Sequence, residues 1–230
     1  MTGCERAARV VIFAARRTGS SLLVQVLRAH PQVLMHGELL HVRDLADPED
    51  GYAGRELPDD AIFNVRRAQP LRLLRHVQCH PEGHAAVGLK IFRDHTRPVN
   101  WPVLTHWCTT CIILKRADVH AQYRSLMLAR TTGRWKGRSE SAGQSDAHVS
   151  IMQGFAAWRR NQEVWYQEVE RQLSNRGRNA SVVRLVFEDH LAGGRAPRTN
   201  LTALWRALHS RTRGVVASLP NTASRRHRTS

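Results

Sequence analysis

Six consecutive residues, Arg16-Arg17-Thr18-Gly19-Ser20-Ser21, set two guanidinium groups, a glycine and three hydroxyls between an apolar run and a helical pattern. Such a turn suits an oxyanion. The first N–H groups of a helix lack intrahelical acceptors and carry the positive end of its dipole, and arginine adds full charge with bidentate geometry. The segment predicts a phosphate or sulfate cradle. Downstream, Lys115-Arg116 and then Ser125 have the types to grip one terminal phosphate from two directions. Lys90 lies inside the apolar run Ala86–Phe92. A buried ammonium there needs a partner or a ligand, unless it snorkels at the sheet edge. Glu38 and His36 in His36-Gly37-Glu38, and His95 in Phe92-Arg93-Asp94-His95, are groups able to move a proton. On the residues alone, Glu38 is equally a solvent-exposed glutamate beside a turn glycine, and His36 beside Met35 suits packing.

These residues need elements to hold them. Val10–Ala15 is too short for a helix and rich in branched side chains, so it predicts a buried parallel strand. Leu22, Leu23, Val26 and Leu27 are expected on the buried face of the helix that follows. Ala86–Phe92, Cys111–Leu114 and Ser181–Phe187 predict three further strands. Helical patterns cover Ala61–Gln78 (broken by Pro70), Val99–Trp107, Val119–Thr131 with Asp118 as its cap, Ser150–Leu173, and a final stretch near Leu201–His209. Alternating strands and helices imply an α/β fold, a central parallel sheet flanked by helices in three layers. Ligands of open parallel sheets bind beyond the carboxyl ends of the strands, where Arg16–Ser21, His95 and Lys115-Arg116 all fall. Trp158 and Trp165 share a helix face and are expected in the core, while Trp135, just after Thr132-Gly133, is the tryptophan expected at a ligand. Asp44–Asp60, Gly137–Asp146 and Leu219–Ser230 are expected to be weakly ordered.

The chain has 230 residues, enough to bury a sizeable core, and is expected to form one domain over residues 1–230 with a flexible basic tail at 219–230. Its net charge of +16 comes from 35 Lys and Arg, nearly all Arg, against 19 acids. The balance favours polyanions: nucleotides, nucleic acid, acidic glycans, or peripheral contact with an anionic membrane. No apolar stretch is long enough to span a bilayer, and MTGCERAAR leads directly into the first strand, so a cytoplasmic setting is expected. The four cysteines are then expected as reduced thiols. Cys108-Thr-Thr-Cys111 has metal or redox spacing, but no second pair matches it, and no metal site is expected.

The ATP-binding P-loop requires G-x-x-x-x-G-K-[ST], and residues 16–21 lack both its first glycine and its lysine. The shorter R-T-G-S-S instead resembles the 5′-phosphosulfate loop of sulfotransferases, which use 3′-phosphoadenosine 5′-phosphosulfate (PAPS) on a P-loop-like architecture without its metal. Residues 121–135, A-Q-x-x-S-L-x-x-A-x-x-T-G-x-W, resemble carbohydrate sulfotransferases of the rhizobial nodulation type and the mycobacterial trehalose sulfotransferase. H-P-Q-V-x-x-H-G-E at 30–38, G-L-K-I-F-R-D-H at 88–95 and V-F-E-D-H-L at 186–191 stand in that family's order.

The resemblance implies a PAPS-dependent transfer of a sulfuryl group to a carbohydrate or glycolipid hydroxyl, with no metal. Arg16, Arg17, Thr18, Gly19, Ser20 and Ser21 would hold the 5′-phosphate, and Arg17 would stabilise charge on the leaving oxygen. Arg116 and Ser125 would hold the 3′-phosphate; Lys90, from its burial, would either face the sulfate or snorkel at the sheet edge. Glu38 matches the position of the catalytic glutamate in the mycobacterial trehalose sulfotransferase, with His95 as the rival base and His36 a third. The chain departs from the pattern where Arg116 precedes Ser125 by nine positions instead of eight, and where Ala117 replaces a frequent second arginine. One extra residue turns a helical side chain by about 100°, so either the turn absorbs it or Lys115 and Arg124 share the task. Arg225, Arg226 and Arg228 could reach the same phosphate or form a solvated tail. Two other classes stay open on sequence: a basic nucleic-acid-binding protein, although no recognition motif supports specific binding, and a nucleotide kinase with a degenerate P-loop.

Overall fold

In the computed structural model, which describes residues 7–40, 70–78, 84–96, 101–135, 154–175 and 181–191, the apolar runs pair side by side. Strands β1 (Ala8–Ala14), β2 (Val33–Met35), β3 (Ala86–Ile91), β4 (Thr110–Lys115) and β5 (Ser181–Val186) form one sheet in the order β2-β3-β1-β4-β5. Every pairing is parallel. Helices α1 (Ser20–Arg28), α2 (Pro70–Gln78), α3 (Trp101–Trp107), α4 (Val119–Thr132), α5 (Phe155–Ser174) and the short α6 (Phe187–His190) alternate with the strands.

The central strand is apolar throughout because both of its faces are covered. Val11 and Phe13 join one core with Leu73 and Leu74 of α2, Leu104 of α3 and Trp165, Val169 and Leu173 of α5. Val10, Ile12 and Ala14 join the other with Leu23, Val24 and Leu27 of α1. The result is the expected three-layer α/β architecture of P-loop-like proteins. From β1 the chain moves towards β2, and from β4 it moves the opposite way towards β5, so the strand order reverses between β1 and β4. A crevice for ligands opens beyond the carboxyl ends at such a reversal.

Several sequence expectations are corrected. The buried face of α1 is Ser20, Leu23, Val24 and Leu27, while Leu22 is exposed. The helix begins at Ser20, directly after the turn, and this phase turns Leu22 outward. The sheet has a fifth strand, β2, whose three residues are too few to show a period. Phe187 leaves the sheet and opens α6. Cys108 and Cys111, expected as reduced thiols, are joined in a disulfide where α3 meets β4. Asp118 caps α4 as expected, its carboxylate accepting from the Ala121 N–H at 2.7 Å. Trp165 is buried, and Trp158 packs on Tyr123 and Phe155 at the start of α5. The segments 44–60, 61–69, 137–146, 201–209 and 219–230 lie outside the described residues.

Candidate active site

The turn after β1 is built so that its carbonyls are occupied. The Thr18 hydroxyl donates to the Ala15 carbonyl at 2.8 Å, and the Gln122 side-chain amide, from α4, donates to that of Arg16 at 2.8 Å. Arg116 donates to the Arg17 carbonyl at 3.2 Å, and the Gly19 carbonyl accepts the first intrahelical bond, from Leu23. The first N–H groups of α1 have no intrahelical acceptor and no side-chain cap, which leaves them for an anion at the head of the helix. Two residues in the turn take left-handed backbone angles, Arg17 at φ 66° and Gly19 at φ 81°. Gly19 is required for a second reason: a Cβ there would run into the Phe187 ring. For Arg17 the conformation costs about 1–2 kcal/mol, so its surroundings must hold it.

They do so from across the crevice. The Arg17 guanidinium donates from Nε to Ser125 Oγ at 2.8 Å and from Nη1 to the Trp135 carbonyl at 2.5 Å. Residues 108 positions apart in the chain thus touch. Burial and the neighbouring Arg116 both push the Arg17 pKa down, so its charge is held against two opposing effects. Arg116 is fixed in turn by Glu188, which accepts from its Nε at 3.3 Å, and by the Phe187 ring 5.1 Å below it. Glu188 also accepts from the N–H groups of Ala117 and Asp118. Burial pushes the Glu188 carboxyl up, but these bonds and Arg116 hold it below its ordinary range.

A second charge cluster surrounds Glu38. Lys90, almost wholly buried on β3, donates to Ser21 Oγ at 2.9 Å and lies 3.5 Å from Glu38 Oε1. His95 Nε2 is 3.5 Å and Arg16 Nη1 3.9 Å from the other carboxylate oxygen. Burial raises the Glu38 pKa, yet the contact with His95 and the charges of Lys90 and Arg16 outweigh it, bringing the carboxyl from 4.5 down to about 2. His95 is fully buried, and its Nδ1 accepts from the Phe92 N–H at 3.2 Å. In the neutral ring that bond leaves the proton on Nε2, facing Glu38. Arg16 donates to Asp94 at 2.7 Å and lies between the rings of Phe92 and Trp135, at 5.0 and 5.6 Å. Burial raises the Asp94 pKa, but Arg16 more than offsets this. Trp135 is 44% exposed and so borders this opening. His36 is buried at the end of β2, its backbone N–H on the Gly88 carbonyl at 2.7 Å.

The sequence pointed to Arg16–Ser21, Glu38, Lys90, His95, Arg116 and Ser125, and contacts at the carboxyl edge of the sheet bring these together through Arg16, Arg17 and Lys90. Ser125 accepts from Arg17, and the Lys115 ammonium lies 5.0 Å from the Tyr166 ring. Gln122, Asp94 and Tyr166 were not singled out for these roles. Gln122 had a signal, since it lies three residues before Ser125 and so close to one helix face. Among the described residues, no three His, Cys, Asp or Glu side chains group so as to hold a metal ion, and no helix is long and apolar enough to cross a membrane.

No family model matches the chain. It is similar to Nodulation protein H of Rhizobium tropici, 30% identical over 128 residues, which are 54% of this chain and 47% of the relative. The chain thus spans about half the length of the curated relative that it matches.

Proposed function

We propose that the protein is a sulfotransferase that takes a sulfuryl group from PAPS and passes it to a hydroxyl of a carbohydrate or glycolipid. One observation carries the proposal: the Arg17 guanidinium, in the anion-binding turn, is bonded to Ser125 on α4. One ligand with phosphate at both ends of an adenosine would need these two elements to converge. Arg17 is also a partly desolvated cation beside Arg116 whose own partners are neutral oxygens. A dianion would relieve both penalties. The similarity to Nodulation protein H supports the same direction.

The donor supplies an activated sulfuryl group, whose transfer spreads charge over oxygens much as phosphoryl transfer does. The protein's part is therefore positioning and charge stabilisation. The N–H groups of Thr18 to Ser21 and the hydroxyl of Ser21 would hold the 5′-phosphate, with Ser125 and Arg116 at the 3′-phosphate. Arg17 would carry the charge that grows on the leaving oxygen, and Lys90, between Ser21 and Glu38, would face the group in transit. Glu38 is the carboxylate that an acceptor alcohol can reach, since His95 and His36 are buried. At about 2 its carboxyl is a weak base while the charges of Lys90 and Arg16 lie against it. Negative charge brought to those cations would raise its proton affinity, coupling base strength to donor binding. His95, with its Nε2–H towards Glu38, would orient the carboxylate.

Calorimetric titration with adenosine 3′,5′-bisphosphate, and separately with ATP and Mg²⁺, tests this. Tight binding of the bisphosphate without metal is expected. Preference for ATP–Mg²⁺ would turn the assignment to a kinase, and salt-sensitive duplex binding without nucleotide binding would turn it to a nucleic-acid-binding protein.

A further inference from the structure

Tyr166 lies on α5 in the layer that packs against one face of the sheet, but its hydroxyl reaches the gap between the ends of β1 and β4. It accepts from the Ala15 N–H at 2.8 Å and donates to the Leu114 carbonyl at 2.7 Å. The register of the two strands pairs Ala14 with Leu114. One rung further on, a parallel ladder would join the Ala15 N–H directly to that carbonyl. The phenol stands in the place of that rung. Both backbone groups are satisfied through an interposed oxygen.

The place is telling. Ala15 immediately precedes Arg16 and the anion-binding turn, and Leu114 immediately precedes Lys115 and Arg116. This is also where the strand order reverses, and Arg17 must span the gap between the two segments to reach Ser125. Burial pushes the Tyr166 pKa well above that of a free phenol, so the hydroxyl keeps the proton it donates to Leu114. A polar atom this deep in an apolar layer is costly unless bonded, and both of its bonds go to the crevice.

We infer that Tyr166 is a positioning residue, a wedge between β1 and β4 that sets the width of the crevice and thereby the geometry of the anion-binding turn relative to α4. The ligand named for the turn rests on the sulfotransferase assignment, whereas the wedge rests on the strand geometry alone. In Tyr166→Phe the wedge oxygen is gone, and the two backbone groups either close on each other or lose their partners. Both outcomes displace the turn.

The test compares Tyr166→Phe with Tyr123→Phe, a buried tyrosine on α4 that packs on Phe155 and Trp158. Tyr166→Phe should weaken adenosine 3′,5′-bisphosphate binding at least tenfold and raise the donor KM with the acceptor KM unchanged. Tyr123→Phe should bind as the wild type does. Equal affinity in Tyr166→Phe and wild type, or equal losses in both variants, would overturn the wedge. A ligand-free arm uses hydrogen exchange. Amides of residues 15–22 should change their exchange in Tyr166→Phe while those of β3 do not, and unchanged exchange in 15–22 overturns the proposal whatever nucleotide the wild type binds. Should the variant not fold, the wild type still decides: its Ala15 amide must exchange slowly, and rapid exchange there refutes the bond to Tyr166. Absence of bisphosphate binding by wild type, with altered exchange in residues 15–22 of the variant, would remove the sulfotransferase assignment and keep the wedge.

Discussion

Removing the Lys90 ammonium should weaken the fold in a way that depends on pH. Lys90 is 1% exposed and its Nζ lies 3.5 Å from a Glu38 carboxylate that is 28% exposed. A carboxyl held at about 2 instead of 4.5 corresponds to about 3 kcal/mol of net pairing. Because the folded value is the depressed one, this stability is fully present above the ordinary carboxyl range and is lost as pH falls from 4.5 towards 2. In Lys90→Met the carboxylate keeps Arg16 and His95 but loses its nearest full charge, so its pKa rises. Breaking a buried pair typically costs about 3–5 kcal/mol. The partial exposure of Glu38 and its remaining partners reduce the expected loss at pH 7 to about 2 kcal/mol. Urea unfolding followed by tryptophan fluorescence from pH 3 to pH 7 measures it. The variant should be less stable at neutral pH and should lose less on acidification. Adding Glu38→Gln should recover most of the loss, since no charge is then left without its partner. A Lys90→Met protein as stable as wild type, with the same acid dependence, would show that the pair does not hold Glu38, and the coupling of base strength to donor charge would fall with it.

Three other substitutions probe the turn and its chemistry. Gly19→Ala combines a left-handed backbone, about 1–2 kcal/mol, with overpacking against Phe187, about 1–3 kcal/mol; denaturant unfolding should show the sum, and an added Phe187→Leu should recover only the second part. Arg17→Ala and Ser125→Ala should each weaken adenosine 3′,5′-bisphosphate binding, Arg17→Ala by roughly 10- to 100-fold as the loss of a charged hydrogen bond predicts, read by calorimetry. Glu38→Gln should leave that affinity near wild type and lower kcat by about 10²–10⁴-fold, the usual contribution of a general base; unchanged turnover would remove Glu38 as the base.

What the sequence disclosed follows from the range of the interactions concerned. β1, β3 and β4 announce themselves because a strand covered on both faces needs an unbroken apolar run, and the turn after β1 because its glycine and arginines are contiguous. The phase of α1 was misjudged since Leu22 and Val26 are as apolar as Leu23 and Leu27, and only the turn geometry decides which pair faces the sheet. Lys90 was recognisable as an anomaly because a charge inside an apolar strand must be paired, though its partners, Ser21 and Glu38, are distant in the chain. Nothing local marks Tyr166, whose role depends on a gap between two other elements.

The nine-residue spacing from Arg116 to Ser125 shows how such distant contacts resolve a local conflict. If both residues had to meet one phosphate through their own helix phase alone, the extra residue would turn them apart by about 100°. Instead Arg116 bonds the Arg17 carbonyl and Ser125 accepts from the Arg17 guanidinium, so both are referred to a third residue in the facing turn. Glu188, reaching over from α6, then fixes Arg116 and the two N–H groups that begin the α4 connection. The connection between Arg116 and Ser125, at Ala117 and Asp118, is tied to Glu188. On this account Glu188→Ala should disturb Arg116 and the start of α4 together, weakening bisphosphate binding by more than loss of one exposed ion pair, about 0–1 kcal/mol, allows. Glu188→Gln, whose single amide oxygen still accepts from one of the two N–H groups, should restore part of that affinity. An affinity loss in Glu188→Gln as large as in Glu188→Ala would assign the effect to charge alone and refute the bracing role of the backbone bonds.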